Sequence, residues 1–90
     1  MIPEGSDRCP CCDYFTLNGR AGHEICPVCY WEDDGHDMDR LDEVSAPNHI
    51  TLRAARLNFV RIGAADSAAV SLVATREERD GLRREQRATY

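Results

Sequence analysis

The fold of this chain of 90 residues depends on two stretches, Cys9-Pro10-Cys11-Cys12 and Cys26-Pro27-Val28-Cys29. In each stretch two residues separate the first cysteine from the last, and thirteen residues separate the two stretches. A gap of two residues allows a tight turn, here called a knuckle, to direct two thiolates at one ion. Proline after the first cysteine restricts φ in each knuckle. The pattern therefore predicts one metal site with four sulfur ligands, Cys9, Cys12, Cys26 and Cys29.

We expect one structural Zn²⁺ ion in this site. A closed shell of four cysteines is a usual structural zinc site, and a chain this short has little hydrophobic core to stabilise it without a metal or covalent staple. Iron also suits four thiolates, in a site of the rubredoxin type, and the cysteine pattern leaves that alternative open. A redox pair of the thioredoxin type fits less well, because neither knuckle is followed by a helical pattern.

The segment before the first knuckle, and the cysteine count, indicate a cytoplasmic protein with no membrane contact. Residues 1–5 lack the basic and apolar regions of a signal peptide, and no stretch approaches the roughly twenty apolar residues that cross a bilayer. The five cysteines all lie between Cys9 and Cys29, and an odd number does not close a disulfide framework.

The residues around the knuckles predict a small α+β domain stabilised by metal. Tyr14–Leu17 and His23–Ile25 resemble two strands joined by a turn at 18–22, which gives a zinc-ribbon-like β-hairpin carrying the two knuckles. This hairpin is expected to pack against one or two helices. Residues 1–75 are predicted to form this single domain, and residues 76–90 a weakly packed or frayed C-terminal helix.

The main helix is predicted at about residues 52–62. Thr51 is a suitable N-cap and Gly63 stands at the position of a C′ glycine. The apolar positions recur at helical spacing, at Leu52, Ala55, Phe59 and Ile62. The opposite side is expected to carry the polar residues Arg53, Arg56, Asn58 and Arg61. Thr75 and Glu78 have the spacing of a capping box that starts the weaker last helix.

The charge is unevenly distributed along the chain. Residues 1–50 carry three arginines and eleven acidic residues, a net charge of −8, whereas residues 51–90 carry eight arginines and five acidic residues, a net charge of +3. The chain contains no lysine. A nucleic-acid partner is not expected, because phosphate binding needs a concentrated positive face and the acidic half repels phosphate.

The same residues resemble the bacterial cysteine-rich CPCC family. The resemblance rests on Cys9–Cys12, on Glu24–Asp34 and on Ala55–Phe59, and it extends over most of residues 8–66. It implies a small metal-binding protein with no assigned biochemical role. Two positions depart from the family pattern: Asp13 stands where the family usually has glycine, and Ala54 replaces an acidic or amide residue near the helix start. Asp13 is expected to adopt the left-handed conformation at modest cost.

Two further features have functional alternatives to a structural role. Cys11 is expected to be a bystander, and a reactive thiol beside the metal site is the alternative. His36 is surrounded by carboxylates that offer oxygen ligands to a second ion, although a solvated acidic loop is the preferred interpretation. These carboxylates are Asp33, Asp34, Asp37 and Asp39.

The preferred functional hypothesis is a protein-interaction or adaptor module, of a regulatory or immunity type, with an unidentified protein partner. No catalysis is expected, because four cysteines leave no open metal position for water. A zinc ribbon associated with nucleic acid and a small redox or hydrolytic enzyme are the alternatives. The partner surface is placed on a rigid patch after the second knuckle, Trp31, Glu32, Asp33 and Asp34. A scaffold role competes for these four residues, with Trp31 in the core and the acids paired with Arg53 and Arg56.

Overall fold

Helix α1, Leu52–Ile62, is the largest element in the computed structural model, which describes residues 2–88. Its bounds match the predicted helix. The Thr51 side chain accepts a hydrogen bond from the Ala54 N–H, and Gly63 is left-handed with φ 76° and donates its N–H to the Phe59 carbonyl. Leu52, Ala55 and Phe59 face the core, whereas Ile62 at the last turn is 44% exposed.

The sheet is a short antiparallel hairpin whose strands enclose the first knuckle. Strand β1, Asp7–Arg8, pairs with strand β2, Phe15–Leu17. Strand β2 lies where the sequence predicts a strand. The prediction that it pairs with His23–Ile25 is wrong, because its partner is β1. The Cys9 N–H donates to the Tyr14 carbonyl at 2.8 Å, so that the knuckle itself is the turn of the hairpin.

The stretch between the knuckles forms a loop rather than a return strand. The Glu24 carboxylate accepts a hydrogen bond from the Asn18 N–H at 2.8 Å, and Ala21 and His23 have positive φ values of 61° and 60°. Ile25 pairs with Glu32 in an isolated bridge across the second knuckle. Each knuckle is therefore a turn whose two ends are joined by backbone hydrogen bonds, so that neither knuckle needs the predicted hairpin.

The acidic segment after the second knuckle is folded by its own carboxylates. Asp33 is 1% exposed and accepts hydrogen bonds from the Ala21 N–H at 2.7 Å and from Arg20 Nε at 3.0 Å. Arg20 also donates to Asp37 at 2.7 Å. A short 3₁₀ helix, Met38–Arg40, follows. The segment is thus an ordered part of the domain, and the prediction of a solvated loop is wrong.

The C-terminal part differs from the frayed helix predicted at residues 76–90, of which residues 89 and 90 lie outside the described residues. A 3₁₀ helix, Ser67–Ala69, precedes helix α2, which spans only Arg76–Asp80. The capping box predicted at Thr75 and Glu78 is present. Beyond it, Leu82 enters the core with 9% of its surface exposed, and residues 83–87 lie along the first knuckle. These contacts keep the segment packed without further helix.

The core lies between the knuckles and α1. Its largest fully buried side chain is Trp31, which shares one apolar cluster with Leu17, Val28, Leu52 and the cysteines. Tyr14 packs edge-on against Phe59, with ring centroids 6.3 Å apart. Among the described residues, no helix has the length and apolar composition to cross a bilayer.

Arg56 lies on the buried side of α1, which corrects the prediction of a polar outer position. Only 8% of its surface is exposed, and its guanidinium binds the Asp13 carboxylate through Nη1 at 2.8 Å and Nη2 at 3.0 Å. The same Nη1 donates to the Pro10 carbonyl at 2.7 Å. A buried arginine is tolerated here because a carboxylate and backbone carbonyls accept hydrogen bonds from its two Nη groups.

Replacing Gly5 with alanine is expected to destabilise the domain. A Cβ at this buried position would lie 2.4 Å from the Leu17 carbonyl oxygen and 2.6 Å from the Leu17 nitrogen, and backbone atoms cannot move aside cheaply. We expect Gly5→Ala to lower the free energy of unfolding by about 1–3 kcal/mol, as overpacking does. Urea denaturation measures it. Gly22→Ala is the matched control, because nothing lies within 4 Å of its Cβ position; equal stability of the two variants would contradict the close packing at Gly5.

Candidate metal centre

The two knuckles have the same backbone geometry. In each, the first cysteine donates its N–H to the residue five positions later, Cys9 to Tyr14 at 2.8 Å and Cys26 to Trp31 at 2.9 Å. The residue after each knuckle is left-handed, with φ 69° at Asp13 and 73° at Tyr30. The left-handed conformation predicted for Asp13 is confirmed. The same conformation at Tyr30 could not be predicted, because tyrosine does not favour positive φ. The repeated geometry presents two pairs of sulfurs to each other.

Four sulfur atoms meet between the knuckles. The Sγ atoms of Cys9, Cys12, Cys26 and Cys29 all lie within 4.8 Å of one another. Across the knuckles, Cys9 Sγ is 3.6 Å from Cys29 Sγ, and Cys12 Sγ is 3.7 Å from Cys26 Sγ. A tetrahedron with metal–sulfur bonds of about 2.3 Å has edges of about 3.8 Å. The two distances across the knuckles match such an edge, and the structure brings the four predicted ligands together.

The sulfurs lie inside the protein. Each of the four cysteines is between 0 and 1% exposed. The Thr16 hydroxyl contacts Cys26 Sγ at 3.0 Å, and the Trp31 N–H donates to Cys29 Sγ at 3.4 Å. These polar contacts around the sulfurs orient the ligands and stabilise negative charge on them.

Burial makes the cluster unfavourable for free thiolates. Desolvation raises the pKa values of the Cys9, Cys12 and Cys29 thiols. Burial also acts to raise the pKa of Cys26, but contacts with the other three thiols and with Thr16 outweigh it and hold that pKa well below its usual range. Cys26 is therefore the first thiol to ionise. A bound cation supplies the positive charge that lets the other three lose their protons.

Cys11 lies beside the cluster and outside it. It is 2% exposed, and the group of sulfurs that can share an ion does not include it. A reactive thiol needs solvent access as well as a low pKa. Its burial therefore favours the bystander role over the reactive thiol.

The predicted interaction patch lies mostly inside the fold. Trp31 is fully buried and Asp33 is 1% exposed, while the Glu32 and Asp34 side chains retain 31% and 9% exposure. Glu32 contacts His23 at 2.9 Å, and Asp34 accepts from the Ser45 hydroxyl at 2.7 Å. Burial and internal contacts favour the scaffold interpretation for Trp31, Asp33 and Asp34, and the acids pair with groups other than Arg53 and Arg56.

The carboxylates around His36 do not gather as ion ligands. His36 Nδ1 lies 2.8 Å from Asp34 Oδ2, whereas Asp33 and Asp37 bind Arg20. Within residues 2–88, the four cysteines are the one cluster of three or more His, Cys, Asp or Glu side chains that can hold an ion. A second ion therefore finds no ligand set in this part of the chain.

The sequence gives no direct signal for the arginines around the first knuckle. Arg87 Nη1 donates to the Cys9 carbonyl at 3.0 Å and to Asp13 Oδ1 at 2.7 Å, and Arg84 Nε donates to the Cys12 carbonyl at 3.1 Å. Burial acts to raise the pKa of Asp13, but hydrogen bonds and charge from Arg56 and Arg87 outweigh it and hold the pKa below its usual value. Only the excess of arginine after residue 50 hints at this arrangement.

The geometry agrees with one comparison with known proteins. A family model described as Cysteine-rich CPCC matches residues 7–80, which include both knuckles, α1 and α2. No curated protein and no solved structure matches the chain.

Replacing one ligand is expected to remove the metal and unfold the region around both knuckles. In Cys26→Ser, three thiolates remain and the thiol that ionises first is lost, so we expect metal content below one tenth of that of the unchanged chain. Cys11→Ser is the matched control, with metal content unchanged. Elemental analysis of the purified proteins measures both. Equal metal loss in the two variants would contradict the assignment of Cys9, Cys12, Cys26 and Cys29 as the ligands.

Proposed function

The chain belongs to the cysteine-rich CPCC family, and we propose that it is a small structural-zinc domain that acts as a protein-interaction module without catalysis. The observation that carries the metal-binding part is the buried quartet of sulfurs at tetrahedral spacing. The region that the family model matches contains all four cysteines, which agrees with this assignment. The choice of zinc and the interaction role are inferences from the chemistry of the site and of the surface.

Zinc is favoured over other ions by the kind of ligands and by their closure. Four thiolates form a soft ligand set, which zinc and iron accept and which magnesium and calcium do not. Structural zinc sites with four cysteines are closed and tetrahedral. All four ligands here lie within a short span of chain that has few other means of stabilisation, as in small domains that fold on binding zinc.

We expect one zinc ion per chain and loss of the fold when a chelator removes it. The apparent binding free energy of structural zinc is about 10–16 kcal/mol, which is comparable to the whole stability of a small domain, about 5–15 kcal/mol. Elemental analysis and far-ultraviolet circular dichroism, on protein purified under reducing conditions, measure the two effects. Iron in place of zinc, a metal-free folded protein or a Cys9–Cys12 disulfide would overturn this assignment.

The burial of the site supports the proposed non-catalytic role. The four cysteine ligands are between 0 and 1% exposed, so that no substrate reaches an ion held between them. A tetrahedral shell of protein ligands also leaves no position for an activated water. The function is therefore sought on the surface of the domain.

The surface that best fits a protein partner is the outer face of α1. Leu57 and Val60 are 48% and 77% exposed, and they border a pocket of about 180 Å³ that Phe59 also lines. Exposed aliphatic side chains beside a pocket are a common feature of protein-binding surfaces. We place the interaction surface here rather than at Trp31–Asp34, because the Trp31 side chain is buried and cannot contact a partner.

The charge of this pocket indicates what kind of partner fits it. Three arginines, Arg53, Arg56 and Arg84, and one carboxylate, Asp13, line it. Buried Arg56 pairs with Asp13, so that the exposed positive groups of the pocket are Arg53 and Arg84. Arg53 pairs with Asp42 at 2.7 Å, but both side chains are exposed and such surface pairs exchange easily. The complementary partner is a peptide segment that presents an aliphatic or aromatic side chain next to carboxylates.

A displayed library of random peptides tests this surface on the zinc-loaded protein. We expect the selected peptides to share a large apolar residue flanked by Asp or Glu. Val60→Asp should weaken their binding at least tenfold, because the new carboxylate at the pocket repels the carboxylates of the peptide. Val44→Asp is the matched control, since Val44 is 62% exposed and does not line the pocket. Fluorescence anisotropy with a selected peptide measures both variants.

Three outcomes would overturn the interaction role. Selected peptides without acidic residues would contradict the charge argument, and equal binding by the two valine variants would place the surface elsewhere. Submicromolar binding to random DNA or RNA at physiological salt, with a steep dependence on salt, would instead favour the nucleic-acid alternative.

A further inference from the structure

Residues 82–88, here called the strap, lie directly against the metal-binding knuckle. Leu82 anchors the strap in the core, and the Phe15 N–H donates to the Arg83 carbonyl at 2.9 Å. The Glu85 N–H donates to the Asp13 carbonyl at 3.2 Å, and Arg8 Nη1 donates to the Glu85 carbonyl at 2.8 Å. The strap therefore runs along β2 and the first knuckle as an added edge.

Two strap arginines reach the backbone of the metal ligands. Arg84 Nε donates to the carbonyl of Cys12 at 3.1 Å, and Arg87 Nη1 donates to the carbonyl of Cys9 at 3.0 Å. The Arg87 side chain is 12% exposed, so that its charge acts in a poorly solvated place. Arg84 lies over the rings of Tyr14 and Phe59, 5.2 and 6.0 Å from their centroids, which holds it near the knuckle.

Charge balance suggests the role of these contacts. A divalent ion with four thiolates carries a formal charge of −2, and the buried Asp13 adjoining Cys12 adds a further −1. The guanidinium groups of Arg56, Arg84 and Arg87 together carry +3 and all donate to carbonyls or carboxylates of residues 9–13. A buried centre with net negative charge is costly unless cations lie close to it.

We propose that Arg84 and Arg87 of the strap supply the counter-charge that retains the metal ion in the cysteine site, and that the strap thereby sets the rate at which the ion is released. This inference rests on the proposed binding of zinc. Metal release requires the first knuckle to open and separate its sulfurs from the ion. The arginines offset the negative charge of the site through their contacts with the backbone of Cys9 and Cys12, and the strap also covers this knuckle.

The rate of zinc transfer to an excess of a chromogenic chelator tests the counter-charge. We expect Arg87→Gln in the full chain to release zinc about tenfold faster, because it removes a charge-assisted hydrogen bond in a poorly solvated place. The release rate of Arg87→Lys should stay within about threefold of that of the unchanged chain. A single nitrogen, Arg87 Nη1, donates to both the Cys9 carbonyl and the Asp13 carboxylate, and a lysine ammonium group can replace it. Arg76→Gln, at an exposed position of α2, should release zinc at the unchanged rate.

Arg84→Gln is the second variant, because Arg84 is exposed and its loss should leave the fold intact. It should also release zinc faster, with one ion per chain still bound at the start. The ligand-field spectrum of the cobalt-substituted protein should be the same in all variants, which separates a lost charge from a distorted site.

Equal release rates for the glutamine variants and the unchanged chain would overturn the strap's role alone. Equal acceleration in Arg87→Lys and Arg87→Gln would show that geometry rather than charge holds the ion. An unchanged chain that binds no ion would overturn the proposed zinc site as well.

Discussion

Four sulfur atoms held within 4.8 Å of one another in a space closed to solvent form the constraint on which the other elements depend. Without an ion, three of the four thiols retain their protons, since burial raises the pKa values of Cys9, Cys12 and Cys29. The strands around the first knuckle span two and three residues, too few to be stable alone. An ion that replaces the protons therefore joins two knuckles that the backbone alone holds weakly, and α1 then has a fixed surface to pack against.

The features that the sequence predicts correctly are the local ones. The knuckles follow from cysteine spacing, and helix Leu52–Ile62 follows from apolar periodicity together with Thr51 and Gly63 at its ends. The left-handed Asp13 and the capping box at Thr75 also depend on residues within a few positions. In each case the residue types restrict φ, offer a hydrogen-bond partner or repeat at helical spacing, so that the chain nearby determines the outcome.

The features that the sequence does not predict depend on distant partners. Residues 18–22 have the composition of a hairpin turn, but the first knuckle provides a tighter closure and pairs β2 with Asp7–Arg8 instead. With eleven arginines and sixteen acidic residues, charge alone does not determine that Arg56 pairs with Asp13, or Arg20 with Asp33. Trp31, the one tryptophan, suits either a surface anchor or a core residue, and only the packed structure places it inside.

Asp13 connects the metal site to both ends of this long-range network. Its carboxylate accepts two hydrogen bonds from Arg56 on α1 and two from Arg87 on the strap, one of them from the backbone N–H. Glycine at this position would provide the left-handed backbone but no anchor for either arginine. Because a buried charge that loses a partner is destabilised, Asp13 couples the stability of the knuckle to the packing of α1 and of the strap. The aspartate thus makes the metal site, the helix and the strap one cooperative unit.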